Sequence, residues 1–265
     1  GGLIGSQRIP TTGEAPGMWT LTEQVIERRA NTWPLPAVSD PDWTNVRLLV
    51  GCDSLPATDE SSFATPLTTN TIAPLLDTSI KQFGIGSLSF PGDTNRDVRV
   101  ASTNDNLDVG SSTPFTWECW IYLISLVSTA TGWSNSNAFM ESQGSSDYVA
   151  GVSRLSTGAV PQFYFIPANG LTGGFYHQST VPLSTWVHWA LVRDSSNNIH
   201  IYQDGVKSTS SVTSSLALNN SAFFTFGKRQ NGTSYNFRMD EVRITVGTAR
   251  YTADFTSPVL AFPRG

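Results

Sequence analysis

The sequence predicts an all-β sandwich or barrel, preceded by an extended arm that carries one short helix. Three observations carry that prediction. From about residue 46 onward, apolar residues recur with a period of two. Clusters such as "DSSNN", "NGLTGG" and "RQNGTS" break those runs at turn positions. The one sustained helical pattern lies in the first 45 residues, so alternating βαβ units are excluded.

The arm comes first. "GGLIGSQRIPTTGEAPG" is rich in Gly, Pro and Thr and is predicted to be extended, with little core of its own. "MWTLTEQVIERRANTWP" follows and predicts a helix over about residues 19–30. Thr20 or Thr22 caps it, and Glu23 stands three residues after Thr20, the capping-box spacing. Arg28 and Arg29 suit the negative end of the helix dipole, and Pro34 and Pro36 stop the helix. A helix this short is not stable alone. Its partial apolar stripe, Trp19, Leu21, Val25 and Ile26, therefore packs on the main domain or on another protein.

Strands are predicted at 45–52, 87–90, 97–102, 115–123, 147–153, 162–167, 185–193, 198–205, 222–229 and 237–245. "SIKQFG" suggests one further helical turn. Two strands are apolar on both faces. Phe115, Trp117, Cys119, Ile121 and Leu123 share one face of 115–123, with Trp120 and Tyr122 on the other. In 186–193, Val187, Trp189 and Leu191 oppose Trp186, Ala190 and Val192. Such strands sit centrally, one face on the inter-sheet core and the other beneath loops or partners. His188 alternates in phase with Trp186 and Ala190 and reads as framework. Asp194 and Asp204-Gly205 are turn residues on either side of the 198–203 strand.

Charge and cysteine usage narrow the function classes. Charged residues make up 14% of the chain, well under the roughly 25% of ordinary soluble domains. The net charge of −5 and the lack of any basic run exclude an electrostatic grip on nucleic acid. No segment reaches the roughly 18 apolar residues of a membrane helix, so membrane insertion is not predicted. The start has no basic flank before an apolar stretch, which predicts no signal peptide. Cys52 and Cys119 match no zinc or redox spacing and are predicted to be buried free thiols.

"FGIGSLSFPG", "FTWECWIYL", "TWVHWALVRDSSNNIHIYQDGV" and "FRMDEVRITVGTARYTADFTSPVLAFP" follow one another within about residues 46–262. Together they resemble the laminin-G-like, concanavalin A-like jelly-roll domains. The resemblance implies a jelly-roll sandwich over 46–265, with residues 1–45 as an anchoring or interaction segment. The closing "TARYTADF" and the lead-in "GMWTLTEQ" are most similar to versions found in bacteriophage virion proteins. That likeness implies a non-enzymatic virion structural protein, a capsid decoration or a head or tail fibre component. Such a protein is made in the host cytoplasm and displayed on the virion surface. Its implied partners are other virion proteins, held through the arm, further copies of the chain, and host-surface glycans. A carbohydrate-binding lectin or adhesin outside a virion is the alternative, and a glucanase-like glycoside hydrolase is a third.

The hydrolase needs two carboxylates on one cleft-facing strand, about 5–5.5 Å apart for retention. Glu118 and Glu141 each stand alone, and the neighbours Asp240 and Glu241 point to opposite faces, so no catalytic residue is assigned. Alternation places Asp240 on one face with Val242 and Ile244, where a carboxylate needs a partner. The resemblance implies a structural calcium as one candidate, engaging Asp240 with Asp53. An Asp that caps a loop or bulge is the other. Ligand binding falls to the loops, where aromatic rings accompany amide and guanidinium donors suited to sugars. The candidates are Trp133, then Phe175, Tyr176 and His177, then Arg229, Asn231 and Tyr235. The competing reading has these aromatics pinning the loops to the sandwich.

Overall fold

The computed structural model describes residues 39–69, 72–92, 96–101, 105–126, 138–143, 148–154, 156, 159–167, 173–218, 223–227 and 235–265. The arm up to residue 38, with the helix expected at 19–30 and its stripe of Trp19, Leu21, Val25 and Ile26, lies outside them.

The strands in chain order are β1 (Val46–Val50), β2 (Leu67–Thr68), β3 (Leu75–Asp77), β4 (Ser87–Phe90), β5 (Val98–Ala101) and β6 (Phe115–Ser125). They continue as β7 (Ala138–Gln143), β8 (Tyr148–Ser153), β9 (Gln162–Pro167), β10 (Phe175–Tyr176), β11 (Trp186–Arg193) and β12 (Asn198–Gln203). The last four are β13 (Val206–Lys207), β14 (Val212–Thr213), β15 (Phe223–Phe226) and β16 (Asn236–Val246). Among the described residues the helical pieces are two 3-10 turns, Trp43–Asn45 and Asp105–Leu107, and no helix is long and apolar enough to cross a membrane.

One sheet has nine strands in the order β13-β12-β11-β6-β16-β4-β3, with β1 also paired to β16 and β14 to β12. The other has seven, β10-β9-β8-β7-β15-β5-β2. All of these strand pairs are antiparallel. The main core fills the space between the sheets, as sandwich packing requires. Trp117 stands edge-on to Phe224, and Trp189 edge-on to Phe139, at centroid separations of 5.1 and 4.8 Å. Cys52 and Cys119 are buried free thiols in this core, and burial raises both their pKa values.

The doubly apolar strands behave as their sequences predict. Val187, Trp189 and Leu191 face the main core, whereas Ala190 and Val192 pack with Tyr202 beneath Ala249, Tyr251 and Phe255. The C-terminal segment thus closes the outer face of the nine-stranded sheet. It docks on the β12–β13 turn: Phe255 N donates to Gly205 O at 2.9 Å and Lys207 N to the Asp254 carboxylate at 2.9 Å.

Two expectations fail, for physical reasons. "SIKQFG" forms bends rather than a helical turn, because carboxylates outside the segment take its amide hydrogens. Strict alternation also breaks in β16. A bulge between Asp240 and Arg243, with Glu241 at φ 50°, adds a step to the strand. Val242 and Ile244 therefore enter the core, while Asp240 pairs with Trp120 and Arg243 with Glu118 on the outer face. Asp240 does not share a face with Val242 and Ile244.

Candidate functional site

Polar chemistry in the described residues gathers first on the outer face of the nine-stranded sheet. Glu118 on β6 is fully buried and receives Arg243 Nε at 2.8 Å and the Tyr251 hydroxyl at 2.8 Å. His188 Nε2 lies 3.3 Å from Oε2, the oxygen that accepts from Tyr251. Burial alone would raise the Glu118 carboxyl. The Arg243 guanidinium, the neighbouring His188 and Arg250 outweigh burial and hold it well below the usual carboxylate range. Asp40 completes the cluster, accepting from Arg243 at 2.9 Å and from both terminal nitrogens of Arg250 at 3.0 and 2.9 Å. Phe262 lies beneath the Arg243 guanidinium, 3.9 Å from ring centroid to carbon. The cluster ties residues 40–45 and 248–262 to the sheet. Glu118 has no contact with solvent.

Asp53 and Asp240 both grip the loop between β3 and β4. Asp240 Oδ2 accepts from the amides of Gln82 and Phe83 at 2.8 and 3.0 Å. Asp53 Oδ1 accepts from Ile85 and Gly86 at 2.6 and 2.8 Å. Burial and the Glu241 charge push the Asp240 carboxyl well up, against the opposing pull of the two amides. Among the described residues no group of three His, Cys, Asp or Glu side chains is placed to hold a metal ion. Of the two readings of Asp240, the Gln82 and Phe83 amides fit the loop cap.

The loop candidates separate. Trp133, Arg229 and Asn231 lie outside the described residues. Phe175 belongs to the core, and Tyr235 is buried in a stack with Phe237 at 4.3 Å. His177 is fully buried; its Nδ1 accepts from Ser179 N at 3.1 Å, so Nε2 carries the proton donated to Val206 O at 3.0 Å. That bond links the β10 edge of one sheet to the β13 edge of the other. Tyr176 is half-buried beside Tyr164, with ring centroids 6.1 Å apart. Phe175, His177 and Tyr235 thus pack within the fold.

Topology brings together the described strand ends that flank two of the loops and separates those that flank the third. β6 ends at Ser125, whose register partner is Asn236 at the start of β16. The connections 127–137, with Trp133, and 228–234, with Arg229 and Asn231, therefore attach to adjacent points at one end of the sandwich. Gly227 abuts Phe90 at that same end, which places Phe226, its register partner Met140 and the start of β7 there too. Following β7, β8 and β9 in turn puts the 168–174 connection at the opposite end.

The middle of the outer face of the seven-stranded sheet is buried, whereas Thr68 at its edge is exposed and Arg99 and Tyr176 are partly exposed. Tyr164 and Thr225 are fully buried there, and Ile166, Val149 and Glu141 nearly so. Among the described residues, no register row on it presents an open pair of carboxylates.

Two antiparallel sheets packed face to face, with strand carboxylates committed to internal partners, define a concanavalin A-like sandwich. The family model described as the concanavalin A-like lectin/glucanases superfamily matches residues 93–248, and the chain belongs to that family. No curated protein matches the chain. Among solved structures it is similar to domain 4 of AbnA, a GH43 extracellular arabinanase from Geobacillus stearothermophilus, in complex with arabinotriose. That match has a TM-score of 0.55 and 15% identity and covers 77% of this chain and 94% of that one. The binding domain of Paraclostridial Mosquitocidal Protein 1 gives 0.52 and 15%, over 79% of this chain and 50% of that one. A structure of botulinum neurotoxin type C, a toxin dependent upon interaction with two ganglioside molecules to enter cells, gives 0.54 and 13%, over 77% and 48%. The chain spans about half the length of the toxin chains it matches. At these identities the likeness is one of fold.

Proposed function

We propose that the protein is a non-enzymatic glycan-binding sandwich that takes its ligand at the end where Ser125 meets Asn236. That register pair carries the reading, because the described strand ends that lead into the segments bearing Trp133 and bearing Arg229 and Asn231 are neighbours. A ring face with amide and guanidinium donors is the chemistry that sugars select. Membership of a lectin-containing family supports the same choice, as do the arabinotriose and the gangliosides of two structural neighbours. The buried, ion-paired Glu118 supports binding over hydrolysis, since a general acid must reach its substrate. A glycan array with the wild type and Trp133→Ala tests the reading. Binding that Trp133→Ala abolishes is the expected result, and silence of the wild type on every glycan overturns it.

The finer placement is on a bacteriophage virion, as a capsid decoration or a head or tail fibre component that assembles as a homo-oligomer. Its support is the sequence likeness of "TARYTADF" and of the lead-in to virion proteins. Deletion of residues 1–45 should abolish incorporation into particles, and unchanged incorporation refutes anchoring by the arm.

A further inference from the structure

We infer that Tyr122, Trp186 and Arg238 form a second binding surface, for a neutral sugar, on the outer face of the nine-stranded sheet. It rests on the glycan-binding reading but lies on a strand face rather than on the connecting loops.

The site begins with register. Trp186 pairs with Tyr122, Tyr122 with Arg238, Arg238 with Ser89, and Ser89 with Leu75, so five strands place these residues in one row. One step inward the row is His188, Trp120 and Asp240. That inner row is roofed: Phe83 stands edge-on to Trp120 at 5.6 Å, and Phe255 and Phe262 stand edge-on to His188 at 5.7 and 6.2 Å. The roof stops there. Trp120 is 6% exposed and His188 0%, whereas Tyr122, Trp186 and Arg238 are each partly open to solvent and Leu75 is 48% exposed.

The open row combines rings with a held guanidinium. The Tyr122 and Trp186 centroids are 5.4 Å apart with planes inclined at 58°, which gives a cupped aromatic surface rather than a sealed stack. Arg238 is fixed from two sides: Nε donates to Asp77 Oδ2 at 2.8 Å, and Nη1 donates to Asn236 Oδ1 at 2.9 Å and Phe237 O at 3.2 Å. Nη2 takes part in none of these bonds. With Asn236 Oδ1 engaged, its Nδ2 is a second spare donor beside the first. Holding a donor in place before the ligand arrives spares the entropy of ordering it. Asp77 offsets the Arg238 charge, so the surface favours hydroxyl acceptors over an anionic ligand. Pyranose C–H faces suit the rings, and hydroxyls suit the two spare donors.

The test is a titration of the full chain with neutral and with sialylated oligosaccharides, for the wild type, Trp186→Ala, Trp186→Phe and Trp133→Ala. A neutral sugar is expected to shift the Trp186 indole resonance, assigned by its loss in Trp186→Phe. Trp186→Ala should weaken binding at this surface by roughly tenfold, the scale of one lost ring contact, while Trp186→Phe retains most of it. Should Trp186→Ala fail to fold, the wild-type indole shift decides alone. Sugar binding that leaves the indole unmoved and survives in Trp186→Ala, yet fails in Trp133→Ala, overturns this surface and leaves the glycan reading intact. Wild-type silence towards every sugar overturns both. Binding of sialylated sugars alone overturns the neutral assignment. Dissociation of an oligomer by Trp186→Ala, without sugar binding, makes the row a protein contact and also overturns the proposal.

Discussion

Glu118 on β6 and Arg243 on β16 face each other across the sheet at 2.8 Å, with side-chain exposures of 0% and 5%. They stand 125 positions apart in the chain. The pair is closed by Tyr251, Asp40 and Phe262. Its role is to hold residues 40–45 and the C-terminal segment against the outer face.

Removing one partner leaves a buried charge without its counterion. Glu118→Gln should lower unfolding stability by about 3–5 kcal/mol, measured by urea denaturation at neutral pH. The depressed Glu118 carboxyl sets the sign with pH. Its contribution is full above the unperturbed value of 4.5 and falls as the pH drops below that toward its folded value. Acid sensitivity below that point should therefore be weaker in Glu118→Gln. An unchanged midpoint in the variant would contradict the buried clamp.

The docking of the C-terminal segment depends on Gly205. Its φ of +81° suits glycine, and a Cβ there would meet Phe255 O at 1.8 Å, a backbone atom that cannot rotate away. Gly173 has a similar φ of +88° with nothing within 4 Å of the added atom. Gly173→Ala should then cost only backbone strain, about 1 kcal/mol. Gly205→Ala should cost more and should speed amide exchange at Phe255. Equal effects of the two variants would show that strain, not the close approach, governs the turn.

His177 predicts a pH response at the edge between the sheets. Burial lowers its pKa, against the raising effect of the Val206 carbonyl and Asp204. The neutral ring is the one that both accepts from Ser179 and donates to Val206. Stability is therefore full above the unperturbed 6.5 and declines as the pH falls below it. The partly buried His200 is lowered too, by burial and Lys207, and adds to the same slope. His177→Gln should flatten the melting temperature between about pH 6.5 and 5 without abolishing the whole dependence.

Asp240 predicts the opposite sign. Its raised carboxyl contributes most below the unperturbed 3.8, and that contribution is lost as the pH climbs through the folded value. Asp240→Asn keeps an acceptor for Gln82 and Phe83 and should be neutral or stabilising at pH 7. Asp240→Ala should lose about 1–3 kcal/mol. Chelator should leave the melting temperature of the wild type unchanged. A fall on chelation, restored by calcium, would reinstate the cation that the resemblance implies.

Much of the fold was legible in the chain. The period-two runs located β1, β4, β5, β6, β8, β9, β11, β12, β15 and β16 to within a few residues. β7, "AFMESQ", carries no clear alternation in the sequence, because Phe139 and Met140 both face the core around a register shift. The two-residue strands β2, β10, β13 and β14, and the three-residue β3, are too short to show a period. Of the candidate site, aromatic-rich segments were visible, but their exposure was not. Phe175, His177 and Tyr235 read like ligand-facing residues until their neighbours are known.

Local alternation by itself determined that β6 and β11 are covered on both faces, that Asp204-Gly205 turns, and that the cysteines are buried. A side chain's face along a regular strand needs no knowledge of the rest of the chain. Tertiary structure alone decided who covers those faces. Asp40 meets Arg243 from 203 positions away, a pairing set by strand order rather than by any spacing in the sequence. The bulge after Asp240, with a non-glycine residue at positive φ, has no periodic signature, yet it moves that carboxylate from the core face to the outer one. Strand order likewise set Tyr122, Trp186 and Arg238 in one row, beyond the reach of the roof.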